Sequence, residues 1–224
     1  MTSATMTTPS HDHAAARMAM VLSQLRPNAV TDPRVVAAMG DVPRERFVPE
    51  GHALLAYRDR PLPLGNDREM NAPLATARLL NEAAIEPTDK VLLIGAGGGY
   101  AAALLARIAA HVVALESDPA LVKAAGAALA GIGNVAIVEG GLAAGLPDGA
   151  PYDVIIIDGA VEQLPQALVD QLRVGGRIVG GMIERGVSRL ASGTRTEGGF
   201  AFVPFADIDC VTLPGFAKPR TFQF

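Results

Sequence analysis

A glycine-rich loop is the first place in this sequence where residue types and spacing suggest chemistry. Val91-Leu92-Leu93-Ile94 is a continuous apolar run, typical of a strand buried on both faces, and Gly95-Ala96-Gly97-Gly98-Gly99 follows it directly. Glycines let a backbone approach a ligand closely, and a helix after the loop offers free N–H donors. A dinucleotide fingerprint needs a third glycine at position 100, which is Tyr100. The G-x-G-x-G spacing therefore favours an S-adenosylmethionine loop over a nicotinamide one. The predicted cofactor contacts in this loop are Gly95, Ala96, Gly97 and Gly99.

An acidic residue ends the next predicted strand. Glu116 follows the apolar stretch 111–115 and lies 21 positions after Gly95. An acid at this distance, at the carboxyl end of the second strand, can accept hydrogen bonds from both ribose hydroxyls. We therefore predict that Glu116 binds the ribose of the cofactor, the alternative being a solvated acid at a strand end.

The elements that must position these residues alternate between strand and helix from Lys90 onward. Apolar runs predict strands at 91–94, 111–115, 134–138, 154–157 and 177–179, with helices at 101–110, from 119 to about 131, and at 161–172. This alternation is typical of an α/β fold with a doubly wound, mostly parallel sheet. Alternating apolar residues around 200–203 and 208–211 predict a C-terminal antiparallel hairpin.

The first 85 residues show a different pattern. We expect a disordered tail over 1–13, where His11 and His13 stand without other metal ligands, and then helices over 14–26, from Asp32-Pro33 to 39, and over 74–84. Residues 50–73 read as mostly irregular, and a long loop before a regular core is usually functional. The expected organisation is one domain over 14–224, with a helical and loop substrate part at 14–85 and a Rossmann-like core at 86–224.

Composition excludes several classes of protein. The net charge of −4 argues against binding to a nucleic acid backbone. The sequence shows no basic, apolar leader and no stretch long enough for a bilayer, so we expect a cytoplasmic protein without a membrane partner. The mean hydropathy of +0.28 is high for a soluble monomer, and a subunit interface, such as that of a homodimer, would bury part of the apolar surface. Cys210 is the single cysteine, predicted to be a core residue, and no metal site is predicted.

Ordered motifs along most of the chain resemble those of the protein-L-isoaspartate O-methyltransferase family. They run from about Met18 to the C-terminus and are MVLSQLR (20–26), VPRERFVP (42–49), AYRDRPLPLG (56–65), VLLIGAGGGYAAALLA (91–106), APYDVIIIDGA (150–160) and LVDQLRVGGRIV (168–179). The resemblance implies a class I methyltransferase sheet with an added N-terminal helical part. It also implies methyl transfer from S-adenosylmethionine to the carboxylate of an isoaspartyl residue in a damaged protein or peptide. That carboxylate is already ionised at pH 7, so the reaction needs positioning rather than a general base.

The substrate loop departs from the family pattern. The family reads G-Q-T-I-S-Q-P in this region, where this chain has Asp67-Arg68-Glu69-Met70-Asn71-Ala72-Pro73, so Asn71 stands in place of the serine that contacts the substrate carboxylate. An asparagine amide can still donate a hydrogen bond, and Arg68 can clamp a carboxylate with two donors. The predicted catalytic residues are Asn71 and Arg68. The alternative for this loop is an exposed, charged segment.

Two acids of the family's cofactor site are also replaced. Leu93 stands where the family has the glutamate of V-L-E-I-G, and Gly140-Gly141-Leu142 stands where it has G-D-G, so Gly141 and Leu142 complete the predicted cofactor contacts. Asp158 is unusual for the family; a metal site there would need further carboxylates, and an N-cap for a helix from Val161 is the commoner explanation.

Four functions therefore remain open at this point. The first is isoaspartyl repair. The second is a non-catalytic family member that keeps a weakened nucleoside pocket for regulation or assembly. The third is a methyltransferase for another substrate, using Arg68, Asn71 or Asp158, and the most distant is a nicotinamide-linked oxidoreductase.

Overall fold

The computed structural model describes residues 12–218. Six α-helices lie in this part of the chain, none of them long and apolar enough to cross a membrane. They are α1 (His13–Met20), α2 (Pro33–Asp41), α3 (Pro73–Ala83), α4 (Tyr100–Leu105), α5 (Pro119–Ala128) and α6 (Gln166–Asp170). The predicted tail lies outside the described residues apart from its last two. Asp12 caps α1 and His13 begins it, so the tail prediction extended too far.

Nine strands form two sheets within the described residues. The strands are β1 (Leu62–Gly65), β2 (Arg68–Met70), β3 (Lys90–Ile94), β4 (His111–Glu116), β5 (Val135–Glu139), β6 (Tyr152–Val161), β7 (Leu172–Glu184), β8 (Val187–Thr194) and β9 (Val203–Ala206). The larger sheet has the order β5-β4-β3-β6-β7-β8-β9 and is parallel from β5 to β7. The predicted doubly wound, mostly parallel α/β fold is therefore confirmed.

Alternate residues of the central strands pack into different cores. Val91 and Leu93 belong to one apolar cluster, which also includes Met20 and Leu25 from the N-terminal segment. Leu92 and Ile94 belong to a second cluster on the opposite face of the sheet. Side chains of successive strand residues point to opposite faces, so a sheet covered on both sides needs a continuous apolar run.

The N-terminal segment follows the predicted helix signals but contains an additional hairpin. Asp32 accepts a hydrogen bond from the backbone N–H of Arg34 (2.8 Å), with Pro33 as the first helical residue. Residues 50–73, predicted to be irregular, include the antiparallel pair β1 and β2. Asn66 and Asp67 form its turn at φ 51° and 56°, left-handed values that suit a tight hairpin.

The C-terminal third differs most from the predicted bounds. The helix predicted at 161–172 is wrong, because β6 continues to Val161 and α6 covers only Gln166–Asp170. The C-terminal part is antiparallel as predicted, but it pairs β7 with β8 and β8 with β9, and 208–211 is not a strand. Arg185 (φ 52°) and Gly186 (φ 79°) form the two-residue turn between β7 and β8.

Candidate functional site

The glycine loop lies at the point where the sheet changes direction. It follows β3, which pairs with β4 on one side and β6 on the other, and doubly wound sheets bind ligands in the crevice at this position. Gly95 has φ 80°, and its backbone N–H donates to the carbonyl oxygen of Leu115 (2.9 Å). The structure therefore places the loop in the crevice beside the end of β4.

Two of the loop glycines make room for the protein's own chain. A Cβ atom on Gly95 would lie 2.9 Å from both terminal methyl carbons of Leu213. A Cβ atom on Gly98 would lie 2.3 Å from the carbonyl oxygen of Phe47. The backbone oxygen of Phe47 requires glycine at position 98, whereas at position 95 the left-handed φ of 80° favours glycine together with the contact to Leu213.

Glu116 is completely buried at the end of β4 and has no free acceptor position. Its Oε2 accepts from the backbone N–H of Gly97 (2.8 Å) and from Nη2 of Arg68 (2.9 Å). Its Oε1 accepts from Nη1 of Arg68 and from the backbone N–H groups of Ser117 (2.7 Å) and Asp118 (3.1 Å). Burial raises the pKa of Glu116, but the bonds and charge of Arg68 and these backbone donors outweigh burial, so the net pKa lies below its usual range. The carboxylate is ionised at neutral pH.

The β1–β2 hairpin carries Arg68 into this position. Arg68 is only 7% exposed, and its guanidinium forms a forked ion pair with Glu116. At the hairpin turn, the side-chain amide of Asn66 donates to Oδ2 of Asp118 (2.8 Å). Arg68, which the sequence predicted as a clamp for a substrate carboxylate, is therefore engaged by a carboxylate of its own chain.

The space left at the glycine loop is too small for a nucleoside. A cavity of about 10 Å³ remains between the loop, Met70, Tyr100 and Asp158. Pockets that hold drug-sized ligands measure roughly 300–1,000 Å³, whereas this cavity has room for about one water molecule. In this conformation the residues at the predicted cofactor site do not admit S-adenosylmethionine, although the glycine loop and Glu116 lie side by side.

Asn71, the second predicted catalytic residue, is also buried, and both polar atoms of its side chain are bonded within the chain. Its side-chain amide donates to Oδ1 of Asp158 (2.8 Å) and accepts from the backbone N–H of Val211 (2.9 Å). Its backbone carbonyl accepts from Nη2 of Arg44. The amide therefore connects the loop after β2 to β6 and to the C-terminal segment.

Asp158 lies inside β6, so its predicted role as a helix N-cap is wrong. Burial raises the pKa of Asp158, and the amide of Asn71 and the charge of Arg44 oppose that effect only in part. Within residues 12–218, no group of three or more His, Cys, Asp or Glu side chains is placed to hold a metal ion. Cys210 is partly buried against the apolar core.

Arg44 is a site residue that the sequence reading did not single out. It is completely buried over the ring of Tyr100, with 4.8 Å from its guanidinium carbon to the ring centroid. It donates to the carbonyl oxygens of Ala56 (2.8 Å) and Asn71. Burial raises the pKa of Tyr100 to about 12, with Arg44 opposing the shift, so the phenol is neutral at pH 7. The signal for it in the sequence is its place as the first of the two arginines in the VPRERFVP motif.

The remaining predicted contacts contribute no polar side chain. Leu93 and Leu142 are both buried in the core. Gly141 is exposed and directly precedes the single helical turn Leu142–Ala144. Ala96 is buried, and its backbone N–H donates to the carbonyl oxygen of Leu115 (3.1 Å). Glu116 is therefore the one ionised group that these predicted cofactor contacts provide.

A segment near the C-terminus, Val211–Phe216, covers this edge of the sheet. The backbone N–H of Ala160 donates to the carbonyl oxygen of Val211 (2.7 Å), and that of Leu213 donates to the carbonyl oxygen of Ala160 (3.0 Å). The side chains of Val211, Leu213 and Phe216 are buried. The segment thus packs at the carboxyl end of β6, beside the loop that follows the hairpin.

Comparison with known proteins identifies the family. The family model described as protein-L-isoaspartate(D-aspartate) O-methyltransferase matches residues 16–203. The chain belongs to the protein-L-isoaspartate O-methyltransferase family. It is 45% identical over 187 residues to protein-L-isoaspartate O-methyltransferase 1 of Rhodopseudomonas palustris (strain HaA2), covering 82% of this chain and 76% of that protein. It is 39% identical over 201 residues to the protein-L-isoaspartate O-methyltransferase of Methanoculleus marisnigri, covering 89% and 91% respectively.

Solved structures of this family share the fold. One protein-L-isoaspartate O-methyltransferase superposes with a TM-score of 0.77 at 24% identity, covering 89% of this chain and 66% of that one. A second, described as a protein-L-isoaspartate O-methyltransferase from Plasmodium falciparum, has a TM-score of 0.74 at 20% identity and covers 91% and 99%. That structure holds S-adenosyl-L-homocysteine. These likenesses confirm the class I methyltransferase fold.

Proposed function

We propose that this chain is an S-adenosylmethionine-dependent carboxyl O-methyltransferase that acts on isoaspartyl residues of proteins or peptides in the cytoplasm. The observation that carries the proposal is the position of Glu116. Its carboxylate lies 2.8 Å from the backbone N–H of Gly97, at the switch point of a sheet shared with the family. The relatives named for this activity, at 39–45% identity, support the substrate class.

The chemistry of this reaction places few demands on the protein. The attacking group is a carboxylate with a pKa near 4, ionised at pH 7, so no side chain has to remove a proton. The protein has to hold one carboxylate oxygen in line and exclude water. Arg68 and Asn71 are the proposed donors to that carboxylate, and their observed acceptors are Glu116 and Asp158.

Transfer of a labelled methyl group tests the proposal. The full chain is incubated with methyl-labelled S-adenosylmethionine and an isoaspartyl peptide, and the same peptide with an ordinary aspartyl residue is the matched control. We expect a base-labile methyl ester on the isoaspartyl peptide alone. Equal labelling of both peptides would contradict the substrate assignment, and labelling of neither would contradict the activity.

A second candidate is a family member that has lost turnover and serves in regulation or assembly. The specific observation in its favour is that Asn71, in place of the family's serine, has all of its side-chain hydrogen-bonding atoms bonded within the chain. Asn71→Ser separates the two candidates. An increase in ester formation indicates a site that is otherwise competent, whereas the absence of ester with both the wild type and this variant favours the non-catalytic candidate.

A further inference from the structure

We propose that Arg68 is an intramolecular occupant of the ribose position, so that the cofactor site of this chain is closed until the Arg68–Glu116 pair is broken. This inference rests on the proposed function, because it concerns the site where that function would bind its nucleoside. It goes further in assigning a residue of this chain as the competitor for that site.

Arg68 and a ribose would both bind the two carboxylate oxygens of Glu116. A ribose diol presents two neighbouring O–H donors to the two oxygens of a carboxylate, and the guanidinium fork of Arg68 also presents two donors to the two oxygens of Glu116. The backbone N–H groups of Gly97, Ser117 and Asp118 occupy the remaining acceptor positions. A ribose at Glu116 and the observed position of Arg68 therefore exclude each other.

The β1–β2 hairpin borders two cavities. The inner cavity of about 10 Å³ is bordered by Leu64, Glu69 and Met70 of the hairpin together with the glycine loop. An outer cavity of about 520 Å³ is bordered by Asn66, Asp67 and Arg68 of the same hairpin and by residues 117–119 and 212–214. Because the hairpin borders both cavities, its displacement would open the inner one toward space that already exists outside it.

The hairpin is attached to the site by a small number of polar contacts. β1 and β2 form a two-stranded sheet of their own, and such a pair is only marginally stable alone. Its polar anchors at this edge are the Arg68–Glu116 pair and the bond from Asn66 to Asp118 (2.8 Å). Leu62 and Met70 at the base of the hairpin are buried in the main apolar cluster, whereas the turn end is exposed apart from Arg68. The turn end can therefore move away from Glu116 while the base and the seven-stranded sheet stay in place.

Calorimetric titration of the full chain with S-adenosylhomocysteine tests the inference. Arg68→Gln removes the charge and the fork while keeping an amide near Glu116. The apparent affinity for the ligand is the affinity of the open form multiplied by the fraction of molecules that are open. If fewer than about one wild-type molecule in ten is open, the variant should bind at least about tenfold more tightly than the wild type. Arg189→Gln is the matched control. It removes the same charge from an exposed pair with Asp207 and should bind as the wild type does.

A milder variant covers the case in which Arg68→Gln does not fold. Asn66→Gly removes only the bond to Asp118 and retains a residue suited to the positive φ at the turn. It should increase the affinity several-fold, in keeping with the loss of one hydrogen bond from the closed state. Circular dichroism of each variant shows whether it is folded.

The outcomes separate this inference from the proposed function. Equal affinity of the wild type and folded Arg68→Gln would overturn the inference and leave the proposed function intact. Tighter binding to Arg68→Gln, with no methyl transfer to the isoaspartyl peptide by the wild type or by Asn66→Gly, would support the inference and contradict the proposed function. The absence of binding to every folded variant at millimolar ligand would overturn both.

Discussion

A buried carboxylate needs donors, and Glu116 receives all of them from its own chain. Taking two charges out of water costs several kcal/mol per ion, which is recovered only when the pair is close and its other hydrogen-bonding atoms are satisfied. Arg68 and three backbone N–H groups meet that condition here. Glu116 with a pKa below its usual range contributes stability that is present above about pH 4.5 and is lost as the pH falls through the lowered value.

Asp158 has the opposite dependence on pH. Because burial raises its pKa, the folded state binds a proton more tightly than the unfolded chain does. Its contribution to stability is therefore fully present below its ordinary pKa and is lost as the pH rises through the raised value. Asp158→Asn should remove this loss, since an asparagine oxygen can still accept from Asn71.

Urea unfolding between pH 4.5 and 7.5 measures this effect. The free energy of unfolding of Asp158→Asn, relative to that of the wild type, should increase with pH over this range. Asp207→Asn, which removes an equal charge from a side chain that is 86% exposed, is the control and should show no such increase. A constant difference between Asp158→Asn and the wild type would contradict the assignment.

At the scale of the elements, the turn from β3 into α4 depends on close contact with the N-terminal segment. A Cβ atom on Gly98 would lie 2.3 Å from the carbonyl oxygen of Phe47, so Gly98→Ala should destabilise the protein by about 1–3 kcal/mol. Gly126→Ala is the matched control, because a Cβ atom there meets nothing within 4 Å and α5 gains about 1 kcal/mol in helix propensity. Thermal unfolding measures both, and equal melting temperatures for the two variants would contradict the role given to Gly98.

Local patterns predicted the elements that depend on local chemistry. The apolar run at 91–94 and the Asp-Pro pairs at 32–33 and 118–119 each correspond to an observed strand or helix start. The helix predicted from Val161 is wrong because Ala160 pairs with Val211 and Leu213, about 50 residues further along the chain, and this pairing keeps β6 extended. The turn at Arg185 and Gly186 was missed because arginine is not a usual turn residue at positive φ.

The candidate site could be predicted only in part, because some of its contacts join residues that are far apart in the sequence. Spacing placed the glycine loop next to Glu116, and the structure shows the two in contact through Gly97. The bond between Arg68 and Glu116 joins residues 48 positions apart on elements of different sheets, and no periodicity encodes it. The buried position of Arg44 likewise depends on contacts with Ala56, Asn71 and Tyr100, which come together only in the folded chain.

At the scale of the whole molecule, the N-terminal part and the sheet share one apolar core. Met20, Leu25 and Met39 pack in the same cluster as Val91 and Val179. We therefore predict that the full chain unfolds in one cooperative transition. Scanning calorimetry and far-UV circular dichroism should give the same midpoint, with equal calorimetric and van't Hoff enthalpies. Two separated transitions would show that 14–85 and 86–224 fold independently.

Different kinds of contact hold the different parts of the chain around the site. The sheet, the glycine loop, the covering segment 211–216 and the base of the hairpin are held by backbone pairing and apolar packing, whereas the turn end of the hairpin is held by the Arg68–Glu116 pair and the bond from Asn66 to Asp118. Opening should therefore involve the hairpin and leave the sheet unchanged. This separation would let the family fold remain intact while the site opens and closes as we propose.

The most direct measurement is the dependence of methyl transfer on the concentration of S-adenosylmethionine, for the wild type and Arg68→Gln, with the isoaspartyl peptide as substrate. A site closed by Arg68 predicts a KM for S-adenosylmethionine at least about tenfold lower in the variant, and kcat should fall as well because the variant lacks a proposed donor to the substrate carboxylate. Identical KM values, or no transfer by either folded protein, would contradict it.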